Sequence, residues 1–278
     1  MPTKTIAVHG ATGSQGAPVA AALAAVGHNV RPVTRASGAD LLDRASLEAA
    51  YGGADTVVLQ LPVIYDESVL RMADNAARAA EAAGVAHLVI NASGPMAPEP
   101  IGVPFLDARH RAAAADIAGV TVLAPTTYLE NLSAPWSAER VARHGVVAYP
   151  MPGEVPMAWV ATDDVAGAVE RAIAREVAGW FALPGIATAG HDIAEALGQA
   201  LGRPVQWETI APEAYADLLR PYLGDHAADG TAAVYRMLAT SPPAPAADPT
   251  PARDALGWAP RDVTAWARGA AWPLARAT

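Results

Sequence analysis

Short apolar runs alternate with amphipathic segments through the first half of the chain. The runs cover residues 5–8, 29–34, 56–61, 87–91 and 120–124, and helical spacing predicts helices at about 16–26, 46–51, 66–83 and 106–117. Runs with little polar interruption are typical of strands that are buried on both faces of a parallel sheet. The regular strand–helix alternation therefore predicts an α/β fold built on a doubly wound parallel sheet.

The pattern becomes looser after about residue 145. Helices are expected at 164–175, 192–201 and 212–219, and a strand is expected at 205–210. Mixed elements of this kind commonly form a small lobe over the strand ends. We therefore predict a first domain over residues 1–145 and a smaller α/β substrate lobe over 146–278, partly interleaved with the sheet. The Pro/Ala-rich stretch 240–251 has no periodicity, which indicates an irregular surface loop.

A glycine-rich turn joins the first predicted strand to the first predicted helix. Gly10, Gly13 and Gly16 follow the spacing GxxGxxG. Such glycines allow a tight turn, a close approach of the backbone to a pyrophosphate, and tight helix–strand packing. The turn predicts a Rossmann-type dinucleotide site, although a purely structural turn is the alternative. The other residues of the turn expected to contact the cofactor are Thr12, Ser14 and Gln15.

The residue just past the second strand selects the ribose in folds of this type. Arg35 occupies that place with no acid nearby, and a guanidinium can bind a 2′-phosphate through two hydrogen bonds. This pattern favours NADP(H) over NAD(H), and Ser37 is expected to add a hydroxyl contact. Asp40 and Leu41 are expected to flank the adenine. The alternatives are a solvated arginine and an aspartate that caps a turn.

The composition of the chain disfavours several kinds of binding partner and of functional site. The formal net charge is −9, which disfavours nucleic acid, and the chain contains no cysteine. No apolar stretch approaches the ~20 residues that a membrane span needs, so we expect a cytoplasmic protein. The histidines lack metal-binding spacing, so no metal site is predicted. A small-molecule substrate is expected, and a homodimer or a protein partner stays open.

With these motifs placed, the sequence resembles the NmrA-like family of atypical short-chain dehydrogenase/reductases. The glycine turn is common to many nucleotide folds, whereas the Tyr-Leu-Glu-Asn-Leu stretch at 128–132, followed by 159–166, is more specific to this group. The resemblance implies a Rossmann domain with a small C-terminal lobe and a dinucleotide lying across the strand ends. Members of the family include NADPH-dependent quinone reductases and redox-sensing regulators that bind the cofactor without turnover.

The resemblance also implies roles for single residues. Leu61 and Pro62 would border the ribose or the nicotinamide, and Asn91 and Ala92 would approach the nicotinamide. The residues implied on the substrate side are Ser93, Tyr128 and Asn131. Each has a structural alternative, since strand-end turns and core packing use the same residue types.

One departure from the active relatives concerns the proton donor. Main-line short-chain reductases use a Tyr-x-x-x-Lys pair, but Lys4 is the only lysine of this chain and lies in the first strand. His110 is a candidate replacement, because histidine exchanges protons near neutral pH, and Tyr128 and Ser93 complete the catalytic candidates. Alternatively, a quinone or enone takes its proton from water and needs only positioning.

Two functional hypotheses follow. The first is an NADPH-dependent oxidoreductase that transfers hydride to a carbonyl, quinone or enone without a Tyr-x-x-x-Lys pair. The second is a non-catalytic NADP(H)-sensing protein that regulates a partner, which the missing lysine motivates.

Overall fold

The computed structural model describes residues 2–240 and 247–272. The strands are, in chain order, β1 (Thr5–His9), β2 (Asn29–Val33), β3 (Thr56–Gln60), β4 (His87–Asn91), β5 (Gly119–Pro125), β6 (Thr127–Tyr128), β7 (Val146–Tyr149), β8 (Met157–Val160), β9 (Gly179–Leu183), β10 (Ile186–Thr188) and β11 (Gln206–Thr209).

The α-helices are α1 (Gly16–Ala25), α2 (Arg44–Tyr51), α3 (Ser68–Ala82), α4 (Pro104–Ala113), α5 (Pro135–Glu139), α6 (Thr162–Ala174), α7 (Gly190–Leu201), α8 (Pro212–Leu223), α9 (Asp225–Thr240), α10 (Thr250–Leu256) and α11 (Val263–Gly269). None of the helices in the described ranges is long and apolar enough to span a membrane.

The first compact unit comprises residues 2–126, 162–184 and 247–259. Its centre is a six-stranded parallel sheet in the order β2-β1-β3-β4-β5-β9. Every residue of β3 and β4 is buried, because helices cover both faces. Helices α2, α3 and α4 pack on one face, where Leu47, Ala73 and Ala108 join the core. Helices α1 and α6 pack against each other, and α6 contacts β4 and β5. The α/β, Rossmann-like fold is confirmed.

The third helix shows how local signals set its ends. Asp66 Oδ1 accepts a hydrogen bond from the Ser68 N–H (2.7 Å), so Asp66 holds the first turn. Gly84 has φ +68° just beyond the last turn, a conformation that glycine adopts without strain. The helix thus begins at Ser68 after a turn held by Asp66, and it ends just before Gly84.

Residues 250–259 complete the first unit late in the chain. Helix α10 contacts β9 and α6, and the Arg175 guanidinium donates to the Ala255 carbonyl (2.7 Å). The Trp258 indole donates to the Pro184 carbonyl (3.2 Å). The expectation of an irregular loop over 240–251 is wrong at its ends, because Thr240 closes α9 and Thr250 begins α10. Residues 241–246 of that stretch lie outside the described residues.

The second compact unit comprises residues 127–161, 185–240 and 260–272. In it, β8 pairs with β10 and β6, and β7 pairs in parallel with β11. Its core centres on the fully buried Tyr149, whose ring contacts Trp159, Trp207, Tyr215 and Tyr235. The units are not consecutive in sequence, whereas the sequence-based division has one boundary at 145. The role of the second unit as a substrate lobe stays a prediction.

Candidate functional site

The glycine turn after β1 is built by close backbone contacts. Gly10 has φ +70°, and its N–H donates to the Val33 carbonyl (2.9 Å). The Gly13 N–H in turn donates to the Gly10 carbonyl (2.9 Å). A Cβ on Gly16 would lie 2.2 Å from that same carbonyl oxygen, a distance that no side chain tolerates. Only glycine therefore lets α1 begin this close to the turn.

The N-terminus of α1 has no side-chain cap. Its N-cap residue, Gln15, makes no capping hydrogen bond with its side chain, and the first turn carries no acid. Thr12, Gly13 and Ser14 are exposed in the turn that leads into it. The first N–H groups of a helix attract an anion, and here no carboxylate of the first turn competes with one.

Three neighbouring strands of the parallel sheet end in a buried polar residue. His9 ends β1, Gln60 ends β3 and Asn91 ends β4, and each is at most 9% exposed. Because the strands are parallel and adjacent, these side chains share the carboxyl edge of the sheet. The strand order reverses beside β1, and this switch point is where doubly wound sheets bind ligands.

The side chains of Gln15, Gln60, Asn91 and Ser93 form one hydrogen-bonded group, which we call the amide cluster. Asn91 Nδ2 donates to Gln60 Oε1 (2.8 Å) and to Gln15 Oε1 (3.1 Å). Ser93 Oγ donates to the same Gln15 oxygen (2.8 Å). The cluster thus connects the glycine turn directly to the ends of β3 and β4.

Ser93 adopts a backbone conformation that is unusual for its residue type. Its φ is +49°, and its N–H donates to Asn91 Oδ1 (3.2 Å). A non-glycine residue in the left-handed region costs on the order of 1 kcal/mol, and such strain concentrates at functional sites. The Asn91 side chain holds this strained turn, so it fixes the direction of the Ser93 hydroxyl.

Two polar atoms at this edge have no hydrogen-bond partner among the described residues. They are Gln60 Nε2 and His9 Nε2, and both are buried. A buried donor without an acceptor costs free energy, which a bound acceptor oxygen recovers. Together with the turn that a Cβ on Gly16 would fill, these atoms fit a polar ligand such as a dinucleotide.

Arg35 lies at the other end of the expected cofactor site, in a 3₁₀ turn (Arg35–Ser37). Its side chain is exposed, and it forms no ion pair with any described residue. The Ser37 hydroxyl accepts from the Thr34 N–H (2.9 Å) and donates to the Thr34 carbonyl (2.8 Å), so it builds the turn that presents Arg35. Arg31, the other arginine near this end of the sheet, donates to the Gly52 carbonyl just after α2 (2.7 Å).

Asp40 builds a turn in this structure. Its Oδ1 accepts from the Leu42 N–H (2.8 Å), and its own N–H donates to the Ser46 hydroxyl (3.0 Å). Asn75 of α3 donates to the Leu41 carbonyl (2.9 Å), which anchors the segment. The adenine role of Asp40 and Leu41 stays a prediction beside this structural one.

The segments after β3 and β4 are held by backbone contacts. Leu61 is buried, and its carbonyl oxygen, 3.3 Å from Ser93 Oγ, is the alternative acceptor for the one hydroxyl hydrogen that Ser93 donates to Gln15. The Ala92 N–H donates to the Leu123 carbonyl (2.9 Å), while Pro62 is half-buried. Leu61 and Ala92 thus lie beside the amide cluster, which places the residues expected at the nicotinamide on one edge.

His110 lies away from that edge. Its ring stacks on Trp180 of β9 with centroids 4.8 Å apart, and its Nε2 is buried without a partner among the described residues. Trp180 pairs with Val122, which is inside β5 rather than at its carboxyl end. Among the described residues, no hydrogen bond or ring contact joins His110 to the amide cluster, so its contacts lend no support to the expected proton-donor role.

Tyr128 and Asn131 belong to the second unit. Tyr128 is 8% exposed, and Asn131 is hydrogen-bonded to the hydroxyl of Tyr149, whose pKa is raised by burial. In the same motif, Glu130 Oε1 accepts from the Trp266 indole (3.0 Å). The motif thus supports the core of its own unit, and the substrate roles of Tyr128 and Asn131 stay predictions.

His9 gives the site a testable pH dependence. Burial lowers the pKa of His9 from 6.5 to about 4, so the folded protein binds its proton more weakly than the unfolded chain does. Its contribution to stability is complete above pH 6.5 and is lost as the pH falls toward 4. When the pH falls from 7 to 5, the free energy of unfolding of the wild type should decrease by about 2 kcal/mol more than that of His9→Val.

Urea unfolding of both proteins at the two pH values measures this difference. His144→Val, at an exposed histidine, is the control and should track the wild type. If the stability of the wild type and of His9→Val depends on pH in the same way, the pKa of His9 does not differ between the folded and the unfolded protein.

In this parallel sheet the glycine turn joins the first strand to a helix without a side-chain cap. This arrangement defines an NAD(P)-binding Rossmann protein. The family comparison gives the narrower class. The model of the NmrA-like family matches residues 2–241, and the chain belongs to that family.

One characterised relative is an NAD(P)H azoreductase from Xenophilus azovorans. It is 30% identical over 191 residues, which cover 66% of this chain and 64% of the azoreductase. The chain therefore spans just under two thirds of the length of this relative.

Solved structures share the fold over nearly the whole chain. An NADPH-dependent quinone oxidoreductase from Escherichia coli, complexed with NADPH, has 23% identity and a TM-score of 0.68, covering 95% of this chain and 99% of its own. NmrA, a negative transcriptional regulator in complex with NADP, has 20% identity and a TM-score of 0.68, covering 96% and 95%. The same regulator has been solved with NAD.

Proposed function

We propose that the protein is an NADPH-dependent oxidoreductase that reduces a small conjugated acceptor of the quinone, enone or carbonyl class. The observation that carries the proposal is the amide cluster, which joins the glycine turn to the strained Ser93 at the switch point of the sheet. A binding module needs the turn alone, whereas a hydroxyl held in a strained turn is typical of a site that orients a reacting group.

The residues of the first unit divide the binding of NADPH between them. The turn and the N-terminus of α1 bind the pyrophosphate, and Arg35 binds the 2′-phosphate. Gln60 Nε2, which is buried without a partner among the described residues, would donate to an acceptor oxygen at the nicotinamide side, beside Leu61 and Ala92. When bound, NADPH supplies the hydride that reduces the acceptor.

Ser93 orients the acceptor. Its hydroxyl can donate to a substrate oxygen by leaving Gln15 Oε1, which keeps its hydrogen bond from Asn91. The chain has no lysine near this edge, since Lys4 is its only one. An acceptor that is easily reduced and takes its proton from water suits such a site.

The function is tested by the loss of NADPH absorbance with a panel of quinones, enones and ketones. Azo dyes are added because the relative from Xenophilus azovorans is an NAD(P)H azoreductase. Steady consumption with one class, and none without acceptor, is the expected result. No consumption with any acceptor, from protein that binds NADPH, would overturn the proposal.

Ser93→Gly should lower kcat/KM for the acceptor by about tenfold, the loss of a hydrogen bond worth about 1.4 kcal/mol. Glycine is the informative substitution because it accepts the φ of +49° without strain, so the turn persists without the hydroxyl. The melting temperature should hold or rise. Unchanged kinetics would remove the hydroxyl from the mechanism.

A second function is an NADP(H)-sensing regulator. Two observations favour it. The chain lacks the lysine of active relatives, and in the part of the chain that the structure describes no hydrogen bond or ring contact joins His110 to the amide cluster. Similar affinity for NADPH and NADP⁺, together with no turnover across the acceptor panel, would support this function. Steady turnover would exclude it.

A further inference from the structure

We propose that Arg109 is a positioning residue of the substrate side of this site, which holds the backbone that follows Ser93. This inference rests on the proposed function. Arg109 Nη1 donates to the Pro95 carbonyl (2.6 Å) and, at 3.4 Å, to the Gly94 carbonyl. Both carbonyls belong to the two residues directly after Ser93.

The burial of Arg109 is exceptional for a charged residue. Its side chain is 0% exposed, and no described carboxylate lies within ion-pair distance of it. Its Nη2 has no hydrogen-bond partner among the described residues. Burial lowers the pKa of Arg109 to about 10, so it remains a cation at neutral pH. The Asp107 carboxylate attracts Arg109 and raises its pKa, but by less than burial lowers it. A buried cation with so little charge compensation destabilises a fold, so core packing alone gives no reason for an arginine here.

The contacts of Arg109 place it against one side of the turn. A Cβ on Gly94 would lie 2.5 Å from Leu106 Cδ2 and 3.7 Å from Arg109 Nη2. The Arg109 Nε–H donates a hydrogen bond to the Leu106 carbonyl (2.6 Å), which holds the guanidinium in place. The backbone at Gly94 therefore packs closely against α4, and the Arg109 guanidinium sets the position of the Gly94 carbonyl.

A second side chain of α4 holds the far end of the same segment, the 94–103 loop. Asp107 accepts from the Ile101 N–H (2.8 Å) and from the Gly102 N–H (2.8 Å). Its carboxylate therefore binds the loop, and its charge also attracts the Arg109 guanidinium from beyond ion-pair distance. Two residues of one helix thus fasten both ends of the loop.

The consequence for the site concerns Ser93. Asn91 fixes the N–H of Ser93, and Arg109 fixes the carbonyls that follow it, so the strained φ is held from both sides. Releasing one side lets Ser93 relax toward an ordinary conformation and turns its hydroxyl away from the acceptor. A small misplacement of a reacting group lowers turnover strongly.

The test compares Arg109→Met, which keeps an unbranched side chain but removes the guanidinium and its charge, with Arg109→Lys, which keeps the charge. Arg111→Met is the control, because Arg111 is on the same helix with a side chain that is 59% exposed. Turnover, the KM for NADPH, melting temperature and amide hydrogen exchange in the 94–103 loop are measured for each protein.

Arg109→Met should lower kcat by about tenfold or more, leave the KM for NADPH within about twofold, and speed exchange in the loop. Arg109→Lys should recover part of kcat, and Arg111→Met should match the wild type. If Arg109→Met does not fold, Arg109→Lys decides, with a reduced kcat and faster exchange as the expected result.

An unchanged kcat in the Arg109 variants, with an active wild type, would overturn the positioning role alone. A fall in kcat without faster exchange in the loop would also overturn it, because the effect would not pass through the backbone. A wild type that reduces no acceptor would remove the proposed function and this inference with it.

Discussion

Gly16→Ala should weaken NADPH binding by about 100-fold or more. It should also lower the free energy of unfolding by about 3 kcal/mol. The new Cβ would lie 2.2 Å from the Gly10 carbonyl oxygen and 2.6 Å from the Gly10 carbonyl carbon. Both are backbone atoms, so the clash is relieved only by moving the turn or the start of α1. Fluorescence titration with NADPH and urea unfolding measure the two losses.

Gly13→Ala separates binding from folding. Its Cβ would lie 3.3 Å from the Gly10 carbonyl oxygen, which a small shift relieves, so stability should change by less than about 1 kcal/mol. Gly13 is exposed in the turn that we propose to bind the pyrophosphate, so the added methyl group should hinder the ligand. Binding should fall at least about tenfold, the equivalent of ~1.4 kcal/mol.

Gly269→Ala is the control for both glycine variants, because a Cβ there meets no atom within 4 Å. It should bind NADPH as the wild type does. Normal binding by Gly13→Ala would mean that this turn does not hold the pyrophosphate.

Arg35→Ala should weaken NADPH binding by roughly 10- to 100-fold and leave NADH binding nearly unchanged. The expected loss is that of one charge-assisted phosphate contact, about 1.5–3 kcal/mol. The substitution should leave the fold unchanged, because Arg35 is exposed and pairs with no described carboxylate. Its removal therefore leaves no buried charge behind.

Arg44→Ala is the matched control on the same unit, since Arg44 is an exposed arginine that pairs with Glu48 (2.6 Å). Arg35→Lys should retain part of the NADPH preference as a point charge. Equal losses for NADPH and NADH in Arg35→Ala would show that Arg35 does not bind the 2′-phosphate.

The sequence predicted the elements whose signals are local. The first five strands of the sheet lie within two residues of their predicted ends, because apolar runs and glycine turns bound each of them. Strand β9 was missed, since its pairing with β5 joins residues far apart in sequence. Helix α9 was also missed: it has Gly230 in its interior and packs closely on α8.

The site divides in the same way. The spacing of the glycines predicts the turn, and the strand order predicts the place of Arg35, whose contact with a cofactor stays a prediction. Gln60 and Arg109 could not be predicted, because only tertiary packing buries them. A polar residue at the end of the apolar run 56–61 was the one signal for Gln60. The stacking of His110 on Trp180 depends on β9, which the sequence did not reveal.

The discontinuity of the first unit has a consequence for biosynthesis. When a ribosome has made residues 1–126, β5 is an open edge, because its neighbour β9 and the covering helix α6 are not yet translated. Open edges invite pairing with other chains. Helix α10, which contacts β9, emerges later still. The nascent sheet is therefore incomplete until β9 and α10 have been made, and a product released before residue 183 would be an aggregation-prone intermediate.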